Sequence, residues 1–554
     1  RLKMKKRFLA LFLVFVLSIS LLAGCSSTPA AEPSKNDTPA TEQTPSTSTE
    51  QTEQTAPVED VVYKDELHVG YNLEPATLDP MMVADAPVRV VTYGNIYEAL
   101  VTLDAEFNVK PELCESYEVN NDGREYLYHL RTGIKFHNGE EMTADDVVAS
   151  MNRWIEHYGN AQNTVGESRF EKVDDSTVKI VFDGPIAFFN ELIATQSQGS
   201  VIMPKSVIEN VDASTGEVQE YIGTGPYKFV EWKSGTYIKL EKFEDYSPYG
   251  VEGEASGWYG YKTQATPVIY YDIVSDNATR AAGIQTGEYD IVTEMGGDDF
   301  AMLDSIEGLT TYTELNGEYV VVYNKAEGLC ADVNMRQAIN ATLDANEILL
   351  GAYNTPDAIR EEISFMPAET ATWYTDAGKE NAHLKDLDLA KEYLEKANYN
   401  GETVRILASP SSAALAGGAV VVQSELAAAG INAELITPDY TSYSAYRNDP
   451  TKYDLFFASL IPVAVPTLQI YLSSSWAGFT NDQKIFDAVK EMDATADIPT
   501  CQKLWEELQT YLWTESLPAS KLGSVFIYGV CTDKVENFAT FCSAPTVSNI
   551  RVRQ

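Results

Sequence analysis

Gly133–Trp154 reads GIKFHNGEEMTADDVVASMNRW and puts one histidine, four carboxylates and a Gly-rich turn into a single short stretch. It can be an acid–base or metal site, or it can be a strand, a tight turn and a capped helix. The spacing favours the second. Thr143 stands where a helix N-cap belongs, and Asp146 follows three residues later, the interval of a capping box. Asp145 and Asp146 fall in the first turn, where the helix dipole favours negative charge. Val147, Val148, Met151, Trp154 and Ile155 then form one apolar stripe at helical spacing. Asn138-Gly139 is a tight-turn pair. His137 lies beside that turn with no partner at metal-ligand spacing, so it is read as buried or turn-bonded. The stretch is a strand–turn–helix corner.

Strands and helices extend this pattern in both directions. ELHVGY from Glu66 alternates as a strand, and NIYEALVTLD from Asn95 suits a helix leading into a strand. STVKIVFDGP is a strand ended by Gly-Pro. GPYKFVEWKSGTYIKLEKFEDY reads as two strands around Ser234-Gly235. Downstream, strands alternate with helices: VIYYDIV, NATRAAGIQTG, YDIVTE; then EYVVVYN and NMRQAINATLD; then TVRILAS, AGGAVVVQSELAAAG and INAELI. This rhythm indicates mixed α/β domains. No short-period repeat interrupts it.

The 554 residues exceed one ordinary core, and 44% hydrophobic content with 11% aromatics can build several. A formal net charge of −42 repels nucleic acid and anionic lipid. The plain reading of that charge is solubility. Besides Cys25, the cysteines are Cys114, Cys330, Cys501, Cys531 and Cys542. They show no CxxC and read as small buried hydrophobes. Cys531 and Cys542 have the one spacing that fits a local disulfide.

The N-terminus carries a basic Lys5-Lys6-Arg7 and an apolar run from Phe8 to Leu22, too short for a stable span. Met4 is read as the start. Leu-Leu-Ala-Gly-Cys closes the run and resembles the bacterial lipobox, in which the cysteine, here Cys25, carries the lipid. Residues 1–24 are then a lipoprotein signal peptide. Residues 25–60 follow as a Ser/Thr/Pro/Glu tether with no aromatic residue, expected to be disordered and to reach about 30 Å. The expected location is the extracytoplasmic face of the cell membrane, with the bilayer contacted through Cys25.

PELCESYEVNNDGREYLYHLRTGIKFHNGEEMTADDVVASMNRW, taken whole, resembles the family-5 solute-binding proteins of ABC importers. Glu115, Ser116, Tyr117, His129, Leu130, Arg131, Lys135, Phe136, His137, Gly139, Thr143, Ala144, Asp146 and Val147 carry the match. GTGPYKFVEW at 223–232, RAAGIQTGEYDIV at 280–292, NMRQAINATLD at 334–344 and LDLAKEYLEKANY at 387–399 follow in family order, with Asn398 in place of a usual glycine. The resemblance implies a type II periplasmic-binding-protein fold, a Venus flytrap of two mixed α/β lobes with an extra inserted domain. Residues 61–104, 219–316 and 526–554 are assigned to the first lobe, 105–218 to the inserted domain and 317–525 to the second lobe. It further implies a peptide-class ligand captured by hinge closure and delivered, by a monomer, to a membrane permease served by a separate ATPase.

The same fold binding a glycan, a small organic molecule or a metal complex is the alternative, and a secreted hydrolase is a third reading. His68, His129, His137, His157 and His383 form no HExxH, there is no GxSxG, and no GxxxxGK[ST] loop makes the chain an ATPase. Neither cofactor, resident metal nor catalytic residue is expected. In peptide binders of the family an Asp after a late second-lobe strand holds the ligand's ammonium. Here no Asp or Glu follows Asp454 through Leu472, and Ile406–Ser424 is uncharged. Free zwitterionic peptides are therefore expected to bind weakly. By family position the ligand candidates are Asp85, Trp373, Ser459, Leu460 and Trp476.

Overall fold

The computed structural model describes residues 61–554. The assignments made for the leader, Cys25 and the tether lie outside the described residues. The corner is built as the spacing predicts. Strand Glu125–Leu130 leads to the Asn138-Gly139 turn, closed by the Gly139 N–H donating to the Phe136 carbonyl at 2.8 Å, and then to helix Ala144–His157. Asp146 accepts both the Thr143 N–H at 2.8 Å and its hydroxyl at 2.6 Å, which fixes the helix start. Val147, Met151, Trp154 and Ile155 are fully buried. They cover a four-stranded antiparallel sheet made of Cys114–Asn120, Glu125–Leu130, Thr177–Val181 and Phe170–Asp174.

The rest of the chain is organised by an eleven-stranded sheet. At its middle, Leu309–Tyr323 and Ala519–Thr532 pair antiparallel from Leu309↔Thr532 to Val322↔Ala519. Strands of 15 and 14 residues span about 50 Å, far beyond the usual five or six residues. One half of this pair continues into Ile291–Met295, Glu66–Tyr71, Val268–Ile273, Tyr237–Lys242 and Tyr227–Lys233. The other half continues into Leu455–Leu460, Thr403–Leu407 and Asn432–Ile436, with Ile359–Glu361 added alongside. The register slips between Leu315 and Gly317 and again between Tyr319 and Val320, where the two halves meet. Bulges of this kind bend a strand and sharpen its twist. Gly317, at φ 151°, admits no side chain: a Cβ there would lie 1.8 Å from the Leu460 carbonyl oxygen.

Parallel pairing needs helical crossovers, and Asn277–Thr286 and Ala413–Ala428 supply them. Part of the acidic composition sits at helix starts. Asp276, Asp332, Asp344, Asp386, Asp482 and Asp497 each accept a first-turn N–H. One core runs unbroken from first-half strands (Leu67, Ile269, Ile291) into the inserted segment (Tyr126, Val147, Trp154). A second core collects Val320, Ile339, Ile406, Phe457 and Trp505. The five cysteines of the described residues are free, and four are buried, so no disulfide joins Cys531 to Cys542.

The helix expected over Asn95–Leu100 is not there. It lies one segment earlier, over Ala86–Thr92, and Asn95 ends it by donating its amide to the Val90 and Val91 carbonyls at 3.2 and 3.4 Å. The backbone of residues 95 and 96 is taken by another motif. Gly225 N–H donates to Ile96 O at 3.0 Å and Tyr227 N–H to Asn95 O at 3.0 Å. Tertiary hydrogen bonds have overridden a helical pattern here.

Candidate functional site

Three distant segments of sequence meet where the first-half strands end. The Ala86–Thr92 helix follows the loop after Glu66–Tyr71 and brings in Arg89. The inserted segment brings the turn Gln196–Gln198. The second half brings Ile461 and Pro462, directly after strand Leu455–Leu460. Cys542 and Ser543 close the floor. The space left between these walls is about 10 Å³, room for about one water.

The polar groups around it are under-used. Arg89 is 7% exposed, and its one hydrogen bond to the described residues is Nη1 to the Ala84 carbonyl at 2.7 Å. Burial holds its pKa below the usual guanidinium value. Asp85 and Glu294 are close enough to act on it through their charge, yet neither forms an ion pair with it. The Tyr71 hydroxyl and the side-chain oxygens of Gln196 and Gln198 are buried without a hydrogen-bond partner among the described residues. Most buried polar groups are paired; of these three, Gln196 lines the gap, Gln198 lines a cavity beyond the turn, and Tyr71 lies within charge range of Arg89.

The Gln196–Gln198 turn has a second cavity on its other side. It measures about 640 Å³ and lies between the inserted segment (Pro185, Ile186, Gln198) and the second half (Gln469, Leu472, Phe486). That volume suits a small organic ligand or a short peptide. Lys490 and Asp493 stand on its wall, and burial pushes the Asp493 carboxyl up to about 6.

The residues singled out from sequence are spread unevenly about this region. Asp85 is exposed and caps the Ala86–Thr92 helix, accepting the Val88 N–H at 3.3 Å. Ser459 and Leu460 end their strand opposite Tyr319 and Glu318, immediately before the Ile461–Pro462 wall. Trp373 is buried in the second core with its ring edge-on to Phe188, and Trp476 packs against Phe456; neither lines either cavity. Asp454 is not part of the strand; it immediately precedes it. It is fully engaged there, paired with Arg405 at 3.0 Å and accepting the Leu329 N–H at 2.9 Å. Sequence reading missed Arg89 and the Gln196–Gln198 turn. Nothing local distinguishes an arginine in an apolar helix from any other.

His137 has a structural post. Its Nε2–H donates to the Gly225 carbonyl at 2.9 Å, and Nδ1 accepts the Gly223 N–H at 3.3 Å. Burial lowers its pKa to about 4, so it is neutral. It therefore pins the GTGP loop against residues 95 and 96, beneath the Arg89 helix.

Two lobes sharing a pair of central strands, with an inserted α/β segment and partnerless polar groups where they meet, define a type II periplasmic-binding-protein fold. The profile of the bacterial extracellular solute-binding proteins, family 5 (middle region), matches residues 108–482, and the chain belongs to that family. It is 27% identical over 376 residues to a probable peptide ABC transporter periplasmic-binding protein, y4tO, of Sinorhizobium fredii, covering 65% of this chain and 68% of the relative. It is 25% identical over 475 residues to the glutathione-binding protein GsiB of Escherichia coli, covering 81% and 86%. Among solved structures, the binding protein AgaA of A. tumefaciens R10, in complex with agropinic acid, superposes with a TM-score of 0.74 at 25% identity, over 88% of this chain and 99% of that one. The family's members are substrate-binding components of ABC importers rather than enzymes. No described helix is long and apolar enough to cross a membrane.

Proposed function

We propose that this protein captures a small ligand outside the cytoplasmic membrane by closing its lobes, while held to the bilayer through Cys25, and presents it to an ABC permease. The lobes are 61–104 with 219–316 and 526–554, and 317–525; residues 105–218 are the inserted domain. The observation that carries this reading is the shared strand pair, bulged where the two halves meet, with partnerless polar groups enclosed beside it. Hinge closure about a few strand residues is the general motion of such proteins.

Relatives named for peptides and glutathione support a peptide-class ligand. A second reading, a ligand with no free ammonium, is favoured by one specific feature: residues 455–472 contain no carboxylate, and Asp454 is already paired. A buried ammonium without a carboxylate is costly. AgaA, in its complex with agropinic acid, is a relative whose named ligand is not a peptide.

Small-angle scattering of residues 61–554 with and without a mixed tripeptide pool tests capture. A fall in radius of gyration with saturable heat of binding is expected from pool members whose N-terminus is blocked. Heat without compaction would refute hinge capture. Submicromolar binding lost on acetylating the N-terminus would refute the ammonium argument. For the anchor, Cys25→Ser is expected to move the protein from the membrane fraction to the medium.

A further inference from the structure

Arg89 is a buried cation without a buried anion. Of the other buried cations near the first-half strands, Arg153 pairs with Asp79 at 2.6 Å and Lys262 with Glu98 and Glu112 at 3.0 and 2.9 Å, while Arg280 gives its guanidinium to the carbonyls of Val274, Ser275 and Glu294 and to the Asn277 side chain. Arg336, in the second half, is turned to other ends, its guanidinium giving hydrogen bonds to the carbonyls of Cys330, Ala331, Ser516 and Leu517. Arg89 has neither solution. One N–H meets Ala84 O, and Arg89 lines the gap together with Gln196, Ile461, Pro462 and Ser543. Its place in the last turn of a seven-residue helix earns it some favour from the dipole, which does not replace a counter-charge.

The geometry points to Arg89 as the receptor for a carboxylate of the transported ligand, seated between the first lobe and the Ile461–Pro462 wall. This rests on the importer reading above and narrows its ligand to an acid. A guanidinium presents parallel donors that match a carboxylate. The Tyr71 hydroxyl, buried without a partner among the described residues, lies within charge range of Arg89 and is a donor that suits the same carboxylate. A doubly charged phosphate suits it less. There is a single cation, and Asp85 and Glu294 already place negative charge nearby. The gap of about 10 Å³ does not admit a carboxylate from outside with the walls in place. The acid must enter with the lobes apart and be enclosed as they close. The rest of the ligand would run past the Gln196–Gln198 turn toward the larger cavity, which shares that turn and the segment after Pro462.

The test is calorimetry with matched probes on residues 61–554: N-acetyl tripeptides as free acids and as C-terminal amides, and glucuronate against glucose. Acids are expected to bind and their neutral partners not. Arg89→Gln is expected to weaken acid binding about tenfold to a hundredfold, and Arg89→Lys, which keeps the charge without the fork, by less. Apo melting of both variants, measured alongside, separates loss of binding from loss of fold, and Arg89→Lys carries the comparison if Arg89→Gln does not fold. Neutral probes binding as well as acids, acid binding indifferent to Arg89→Gln and Arg89→Lys, or no acid bound at all would each overturn the assignment. Amides or glucose that bind and compact the protein would leave the importer reading standing while removing the carboxylate.

Discussion

His137 offers a quantitative test of how the strand–turn–helix corner is held. Its pKa falls from the ordinary 6.5 to about 4 because burial penalises the charged ring, against a smaller opposing effect of the Gly225 carbonyl. The unfolded chain therefore takes up the proton more readily than the folded one. The stabilising contribution is complete above pH 6.5 and is lost as pH falls toward 4. A shift of this size amounts to about 3 kcal/mol between neutral pH and pH 4. Urea unfolding of wild type and His137→Gln from pH 7.5 to 4 measures it, because glutamine keeps a donor for Gly225 and does not titrate. Other groups titrate in both proteins and cancel in the difference. Wild type is expected to lose about 3 kcal/mol more than the variant across that range. Parallel curves would show that His137 is not buried neutral against the GTGP loop. Ligand affinity at neutral pH is expected to survive the substitution, since His137 touches neither cavity.

Two further substitutions probe other parts of the frame. Asp79 holds Arg153 through two bonds of 3.1 and 2.6 Å and also accepts the Val218 N–H at 3.1 Å. Asp79→Ala leaves a buried guanidinium unpaired and is expected to cost about 3–5 kcal/mol in denaturant unfolding; a loss under about 1 kcal/mol would contradict that burial. Gly317→Ala forces a Cβ into the Leu460 carbonyl. It is expected to cost more than about 1 kcal/mol and to change the radius of gyration by scattering; a variant matching wild type in both would show that the strand crossing is not tight.

Local chemistry made much of the fold readable. The Thr143–Asp146 interval, the Asn138-Gly139 pair and the strands around Ser234-Gly235 each form through contacts within a few residues. Where distant backbone intervened, the pattern misled. Asn95–Leu100 looks helical, but its first carbonyls serve Gly225 and Tyr227. The strand read from EYVVVYN starts nine residues earlier, at Leu309, because the first half of that strand is polar and partly exposed while its second half is apolar and buried. The candidate site was least legible for the same reason. Arg89, Gln196 and Pro462 lie far apart in sequence, and what distinguishes Arg89 is the partner it lacks.

The two long central strands belong to both lobes at once. Their ladder of hydrogen bonds passes through the crossing with only local slips of register. Neither lobe can melt alone without tearing the middle of the other's sheet. A chain of this length ordinarily comes apart domain by domain. Here the ladder ties the stability of the two halves together, so unfolding is forced toward a single cooperative event, and any ligand that bridged the lobes would stabilise the whole body rather than the surfaces it touches.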